Sequence, residues 1–362
     1  MQTPAQSSRL TELDALRGVA AVVVLLHHAW LLLPREPGDA LAAVDWLLEE
    51  TPLRILALGR PAVIFFFLLS GFVLVFGLMR RPTPWPAFAV QRAVRLAPPV
   101  ILSVLVSWLL WEMTWTGPLP DELPAFAEAT WANTPTGDAV LRQAMLLNTN
   151  PDNGLNPVLW SLVHEWRIGL LLPLALLFRS APVALVLVGL LSFAVAVLSG
   201  VTVNRAFLGP DLTEGLLRSL YFVLPFAVGA ALALAGPVRQ VSAPVRIMLG
   251  LAVLLAMRFS DHDLVSVAGS ALLVVLVLQR GPVTVWLRLA LPLWLGRMSF
   301  SLYLIHLPVM TAVLHLFTGT IAIPAIVALS LPLSVAAAIL LHRAAERPAQ
   351  RLARSLQAKA AR

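Results

Sequence analysis

Ten stretches dominated by apolar residues succeed one another along the chain, at 14–33, 60–79, 93–112, 157–178, 181–199, 219–236, 245–259, 264–279, 298–317 and 321–342. Most approach the roughly 20 residues that an α-helix needs to cross a hydrocarbon core. The seventh and eighth are short and close together, so one bent element competes with two spans there. The longest polar segment, from Thr114 to Asn156, is rich in Pro and Trp (Trp115, Trp131) and fits an interfacial or re-entrant cap better than a separate domain. The pattern predicts an all-α polytopic membrane protein of about ten transmembrane helices, and an even number puts both termini on one side.

Charge chooses the side. Cytoplasmic loops accumulate Arg and Lys, and the N-terminus, the loops after even-numbered spans and the C-terminal segment hold seventeen: Arg9, Arg80, Arg81, Arg92, Arg95, Arg179, Arg239, Arg246, Arg280, Arg288, Arg297, Arg343, Arg347, Arg351, Arg354, Lys359 and Arg362. The opposite loops hold seven arginines, Arg35, Arg54, Arg60, Arg142, Arg205, Arg218 and Arg258, and most of the acids, among them Asp39, Glu49, Glu50, Asp121, Asp138, Asp211 and Asp261. Both termini are therefore expected in the cytoplasm. The basic segment after Arg343 reads as a helix end drawn to anionic headgroups.

Composition narrows the class. Of 362 residues, 59% are hydrophobic and 12% charged, with a mean hydropathy of +0.84, against roughly 45–50% and 25% in soluble domains. One membrane unit fits better than two soluble domains. The absence of cysteine excludes disulfide scaffolds, thiolate metal sites and thiol nucleophiles. The net charge of +7 would suggest nucleic acid in a soluble protein; here it follows the loops, so the expected partner is the bilayer, with no nucleic acid. The first apolar run carries Asp14 and Arg17 with no small-residue cleavage site after it, so it is expected to be retained as a span.

A charge inside a span costs about 2.5–3.5 kcal/mol on insertion scales, so each needs a partner or a task. Asp14 and Arg17, three apart, share a face of the first span and fit either an ion pair at its inner end or a site. His27 and His28 lie about 20 Å further along it. Adjacent residues point about 100° apart, so only one of them can face a given site, and the spacing is not that of a metal pair. Glu165, in Trp160-Ser161-Leu162-Val163-His164-Glu165, is expected about 12 Å below the outer end of its span and His28 about 8 Å below its own, at similar depth. The two could form a base and its orienter; a structural pair of Glu165 with His164 or Arg167 is the alternative. Ser70 lacks a nucleophile elbow and is expected to bond its own preceding turn. Arg92 and Arg95, three apart at the mouth of the third span, suit phosphates or simple anchoring. Tyr303 and His306 share a face of the ninth span and fit packing across the bundle. No metal site is expected.

The strings LDALRGVAAVVVLLHH, FFFLLSGF, RAVRLAP, LWSLVHE, GRMSFSLYLIHLP and ERP, in that order from Leu13 to Pro348, resemble the acyltransferase-3 family of bacterial integral-membrane O-acyltransferases. The resemblance implies a transmembrane acyltransferase domain over 1–348 with a basic cytoplasmic tail at 349–362, in the bacterial cytoplasmic membrane. It implies transfer of an acyl group, acetyl above all, from acyl-CoA to a hydroxyl of a sugar or glycan, with acyl-CoA as donor substrate and no bound cofactor. His28 matches the family's essential histidine and Glu165 its glutamate. Arg92 and Arg95 match its arginine pair, to which Arg17 adds a third contact for the CoA phosphates. Where many members continue with Phe-Tyr, this chain has Arg167-Ile168-Gly169, which leaves the acceptor type open. Members that carry an extracytoplasmic acceptor domain suggest that a separate partner could process the acceptor here. The rival reading is a transporter or flippase with Asp14, Arg17, His28 and Glu165 along its pathway.

Overall fold

The computed structural model describes residues 10–34, 41–132, 134–147, 154–203, 207–279 and 281–360, and among these the fold is all-helical. Every one of the ten apolar stretches is helix. The main elements are α1 (Thr11–Leu31), α2 (Gly59–Arg80), α3 (Trp85–Thr114) and α4 (Leu159–Leu171), which continues as 3₁₀ turns over Leu172–Phe178. Then come α5 (Pro182–Leu198), α6 (Leu212–Tyr221), α7 (Val223–Leu234), α8 (Ala243–Arg258) and α9 (Asp263–Leu278). The chain ends with α10 (Ala290–Phe317), α11 (Ile323–Leu341) and α12 (Arg347–Ala360). Among the described residues six helices are long and apolar enough to cross a membrane: α1, α2, α3, α4 with its 3₁₀ continuation, α10, and α11 running on into α12. The pair α6 and α7, bent by 43°, makes a seventh if taken together. α8 and α9 are two helices packed on one another, so the single bent element does not form.

Two boundaries matter for the site. α3 starts at Trp85, because Pro86 sits in its first turn where a missing N–H costs nothing. Arg92 and Arg95 are thus helical, not in a loop. With 30 residues, α3 is about 45 Å long, against a hydrocarbon core of about 30 Å. α4 begins at Leu159, after the buried, irregular residues Leu155, Asn156 and Val158. The Asn156 side-chain amide donates to the Leu304 carbonyl in mid-α10 at 2.8 Å, so α4 starts inside the bundle and not at its outer surface.

α1 is the axis, packed against α10 on one side and α2 on the other. The α1–α10 crossing is backbone on backbone: a Cβ at Gly18 would strike the Leu295–Gly296 peptide, and one at Gly296 would strike the Asp14 carbonyl. Small residues are what let helices approach this closely. Most buried apolar residues gather in two large clusters, one around α1, α2 and α7, the other around α1, α3, α10 and α11, with Phe66 and Trp160 touching both. The polar residues of interest lie along that seam. Between α3 and α4 the described residues 115–132, 134–147 and 154–156 form a cap with short helices at Ala125–Ala129 and Gly137–Ala144. The buried Trp131 donates to the Leu155 carbonyl at 3.0 Å, and Gln143 accepts from the Asn156 N–H at 3.1 Å.

Candidate active site

His28 is half-buried near the end of α1, and its Nδ1 lies 2.7 Å from Nε2 of the fully buried His306 on α10. The other nitrogen of His306, Nδ1, lies 2.9 Å from the Leu302 carbonyl. A carbonyl only accepts, so His306 Nδ1 carries the proton and its Nε2 is the acceptor. The proton between the two rings therefore belongs to His28 Nδ1, and His28 Nε2 is left with its lone pair. The chain Leu302 C=O, His306, His28 fixes one tautomer and aims a basic nitrogen, the task an orienting group performs in general-base and nucleophilic catalysis. The rings are nearly coplanar, 14° apart, and Phe126 of the cap lies parallel to His28 at 5.3 Å between centroids. His27 points elsewhere, its ring packed where a Cβ on Gly59 would otherwise be.

The side chain hydrogen-bonded to His28 is His306 and not Glu165. The two residues expected at similar depth are joined instead by a ladder. Tyr303, one turn before His306, places its hydroxyl 2.7 Å from Ser161 Oγ and 3.2 Å from the Val158 carbonyl. Glu165 lies one turn beyond Ser161 on α4. At 1.5 Å per residue these two turns separate Glu165 from His28 by about 10 Å along the bundle. The expectation failed because it counted depth from an outer end at residue 157, whereas α4 begins below the level of His306.

Glu165 has partners of its own. Ser70 Oγ donates to Glu165 Oε1 at 2.9 Å, so Ser70 bridges helices and does not bond its own turn. Arg92 Nη2 donates to Glu165 Oε1 at 3.2 Å and to the Glu165 carbonyl at 2.9 Å. Arg92 is buried, 7% exposed, and is seated on Gly169, where a Cβ would lie 2.5–2.6 Å from its guanidinium atoms. The missing side chain at Gly169 is what makes room for the arginine. Glu165 pairs with neither His164 nor Arg167. His164 bonds Ser219 and the Phe207 carbonyl, and Arg167 donates to the Gly215 carbonyl.

Two adjoining chambers open beside this network. The inner one, about 880 Å³ with its mouth, is lined by Phe66, Ser70, Ser161, Glu165 and Tyr303, and the Tyr303 ring separates it from His306, 6.1 Å away between centroids. The outer one, about 1440 Å³ with the open solvent at its mouth, is lined by Arg17, Arg81, Arg92, Arg95 and Arg354, with Asp14 as its carboxylate. Arg17, Arg92, Arg95 and Gln350 belong to both. Arg17 pairs with Asp14 at 3.3 Å, which is the expected ion pair and also places the arginine on the wall. Arg92 and Arg95 part company: the first is committed to Glu165, while the second is exposed in both chambers. Local spacing places His306 at the end of SFSLYLIH, where it fits packing, and nothing nearby in the chain points to its partner His28.

A family model described as an acyltransferase domain, of the acyltransferase-3 type, matches residues 10–343. No curated protein and no solved structure gives a significant match. Of the two activities that intramembrane His, Glu and Arg side chains left open, acyl transfer is the one this match supports. The match spans the helices that carry His28, Arg92, Arg95, Glu165 and His306, and on it the chain belongs to the acyltransferase-3 family: it is a multi-pass membrane acyltransferase.

Proposed function

We propose that the protein is an O-acyltransferase of the bacterial cytoplasmic membrane, with ten crossings and both termini in the cytoplasm, that moves an acetyl group from acetyl-CoA to a sugar or glycan hydroxyl. The observation that carries this reading is the single tautomer imposed on His28 by His306, in a bundle whose adjoining chambers are lined by arginines. The donor lies with its phosphates against Arg95 and Arg17 in the outer chamber, where guanidinium forks match phosphate oxygens. Its arm runs through the inner chamber past Ser70 and Ser161 and brings the thioester toward His28. The acceptor arrives from the opposite side, beneath the cap, where Phe126 shields the ring from water.

In the direct route His28 Nε2 takes the proton of the acceptor hydroxyl as its oxygen attacks the thioester carbonyl. The C–O bond forms, the C–S bond breaks, and the sulfur receives the proton from Nε2. The same lone pair could instead attack the thioester and carry the acyl group before passing it on. In either route His306 holds the ring. Glu165 holds Arg92 and Ser70 on the chamber wall, a positioning role. Membranes containing the protein, supplied with acetyl-CoA labelled in the acetyl group, should move label into the glycan fraction, and cells without the gene should lack that modification. Label that stays on CoA, with unaltered glycans in those cells, refutes the assignment.

A further inference from the structure

The C-terminal segment does not trail from the bundle. At the end of α11 the helix passes through a π-helical turn, His342–Glu346, and runs on as α12, which packs along α3. A buried carboxylate, Glu346, 4% exposed, pins this junction. It accepts from the Ser301 backbone N–H at 3.2 Å, Ser301 Oγ at 2.6 Å, His342 Nδ1 at 3.0 Å and Gln350 Nε2 at 2.8 Å. Four residues of α12 spaced on one face, Gln350, Ala353, Arg354 and Gln357, line the outer chamber. Arg351 is exposed and outside both chambers. Arg354 gives Nε to the Gln350 carbonyl at 3.2 Å, which leaves its terminal nitrogens for a ligand. Because Glu346 can only accept, the Gln350 side chain turns its NH₂ to that carboxylate and its oxygen away from it, at the junction of the two chambers.

We propose that α12 is a wall of the donor site: Arg354 binds a phosphate at the nucleotide end of the acyl donor, and Gln350 Oε1 accepts a hydrogen bond from an amide N–H of its arm. This rests on the acyl-CoA reading above. The ligand class follows from shape and charge. Arginines from α1, the end of α2, α3 and α12 surround the outer chamber against one carboxylate, already paired, and so select a polyanion. The chamber continues into a narrower, less cationic one that Gln350 also lines. A lipid headgroup on α12 would leave that inner chamber unused, whereas a nucleotide with a slender amide-bearing arm fills both.

The test is calorimetric titration of acetyl-CoA into the full chain in phosphatidylcholine nanodiscs. Arg354→Ala should raise Kd about tenfold, the equivalent of one charge-assisted bond, Gln350→Leu should raise it several-fold, and Arg351→Ala should change it less than twofold. Equal effects of Arg354→Ala and Arg351→Ala, or none from Arg354→Ala, overturn the inference while wild-type binding preserves the donor reading. No binding by the wild type overturns both. In discs containing phosphatidylglycerol, a gain in melting temperature that Arg354→Ala abolishes without weakening acetyl-CoA would assign α12 to lipid headgroups and also overturn it.

Discussion

Gly169→Ala offers a test of sign as well as size. In a helix interior this substitution ordinarily stabilises by up to about 1 kcal/mol. Here the new methyl group would lie 2.5–2.6 Å from the Arg92 guanidinium, so the arginine must move. The side chain is flexible, but it is buried and bonded to Glu165 through both the carboxylate and the backbone carbonyl. Moving it leaves a buried ion without its partner, a loss of about 3–5 kcal/mol when a buried pair is broken. Set against the propensity gain, the net effect is a destabilisation of about 2–4 kcal/mol. In an Arg92→Ala background the clash is gone, and Gly169→Ala should become neutral or stabilising. Thermal melts of the four proteins of this cycle, in one detergent or nanodisc, give the coupling directly. A Gly169→Ala protein as stable as wild type, or a coupling below about 1 kcal/mol, would refute the claim that this glycine exists to seat Arg92.

Other expectations follow from the same geometry. His306→Ala should lower acyl transfer by about 10²-fold or more; His306→Gln, whose amide oxygen can still accept from His28 Nδ1–H, should recover part of it, and equal losses would show His306 to be packing. Asn156→Leu removes the donor to the Leu304 carbonyl and should cost about 1–3 kcal/mol in a melt, with activity falling as α4 shifts. Phe126→Ala uncovers His28, so hydrolysis of the acyl donor should rise relative to transfer, measured as free acetate against acylated product; an unchanged ratio would remove the cap from water exclusion.

The helical architecture was legible because hydropathy is local: twenty apolar residues in a row declare a helix whatever surrounds them. Helix ends were less legible where tertiary contacts decide them. Asn156 and Val158 look like the edge of a span, yet they are buried by the cap and by α10, which displaced Glu165 from the level of His28. Pro86 signalled the early start of α3, but the apolar count hid it. The polar candidates were found because so few charges lie in the spans. Their pairings were not, since His28 meets His306 across 278 positions and Arg92 meets Glu165 across 73, and no local spacing rule reaches that far. Arg9, Arg35, Asp39, Arg205, Arg280 and Arg362, part of the charge pattern, lie outside the described residues. The segment read as a lipid-facing tail is helix, and one face of it lines a chamber.

The central claim is that His28, held in one tautomer by His306, is the group that takes part in acyl transfer. It is tested most directly by single-turnover transfer of labelled acetyl from acetyl-CoA, with wild-type and His28→Ala proteins at equal abundance and equal melting temperature. The account predicts that His28→Ala loses transfer by at least about 10²-fold while still binding acetyl-CoA. Transfer at the wild-type rate would contradict it.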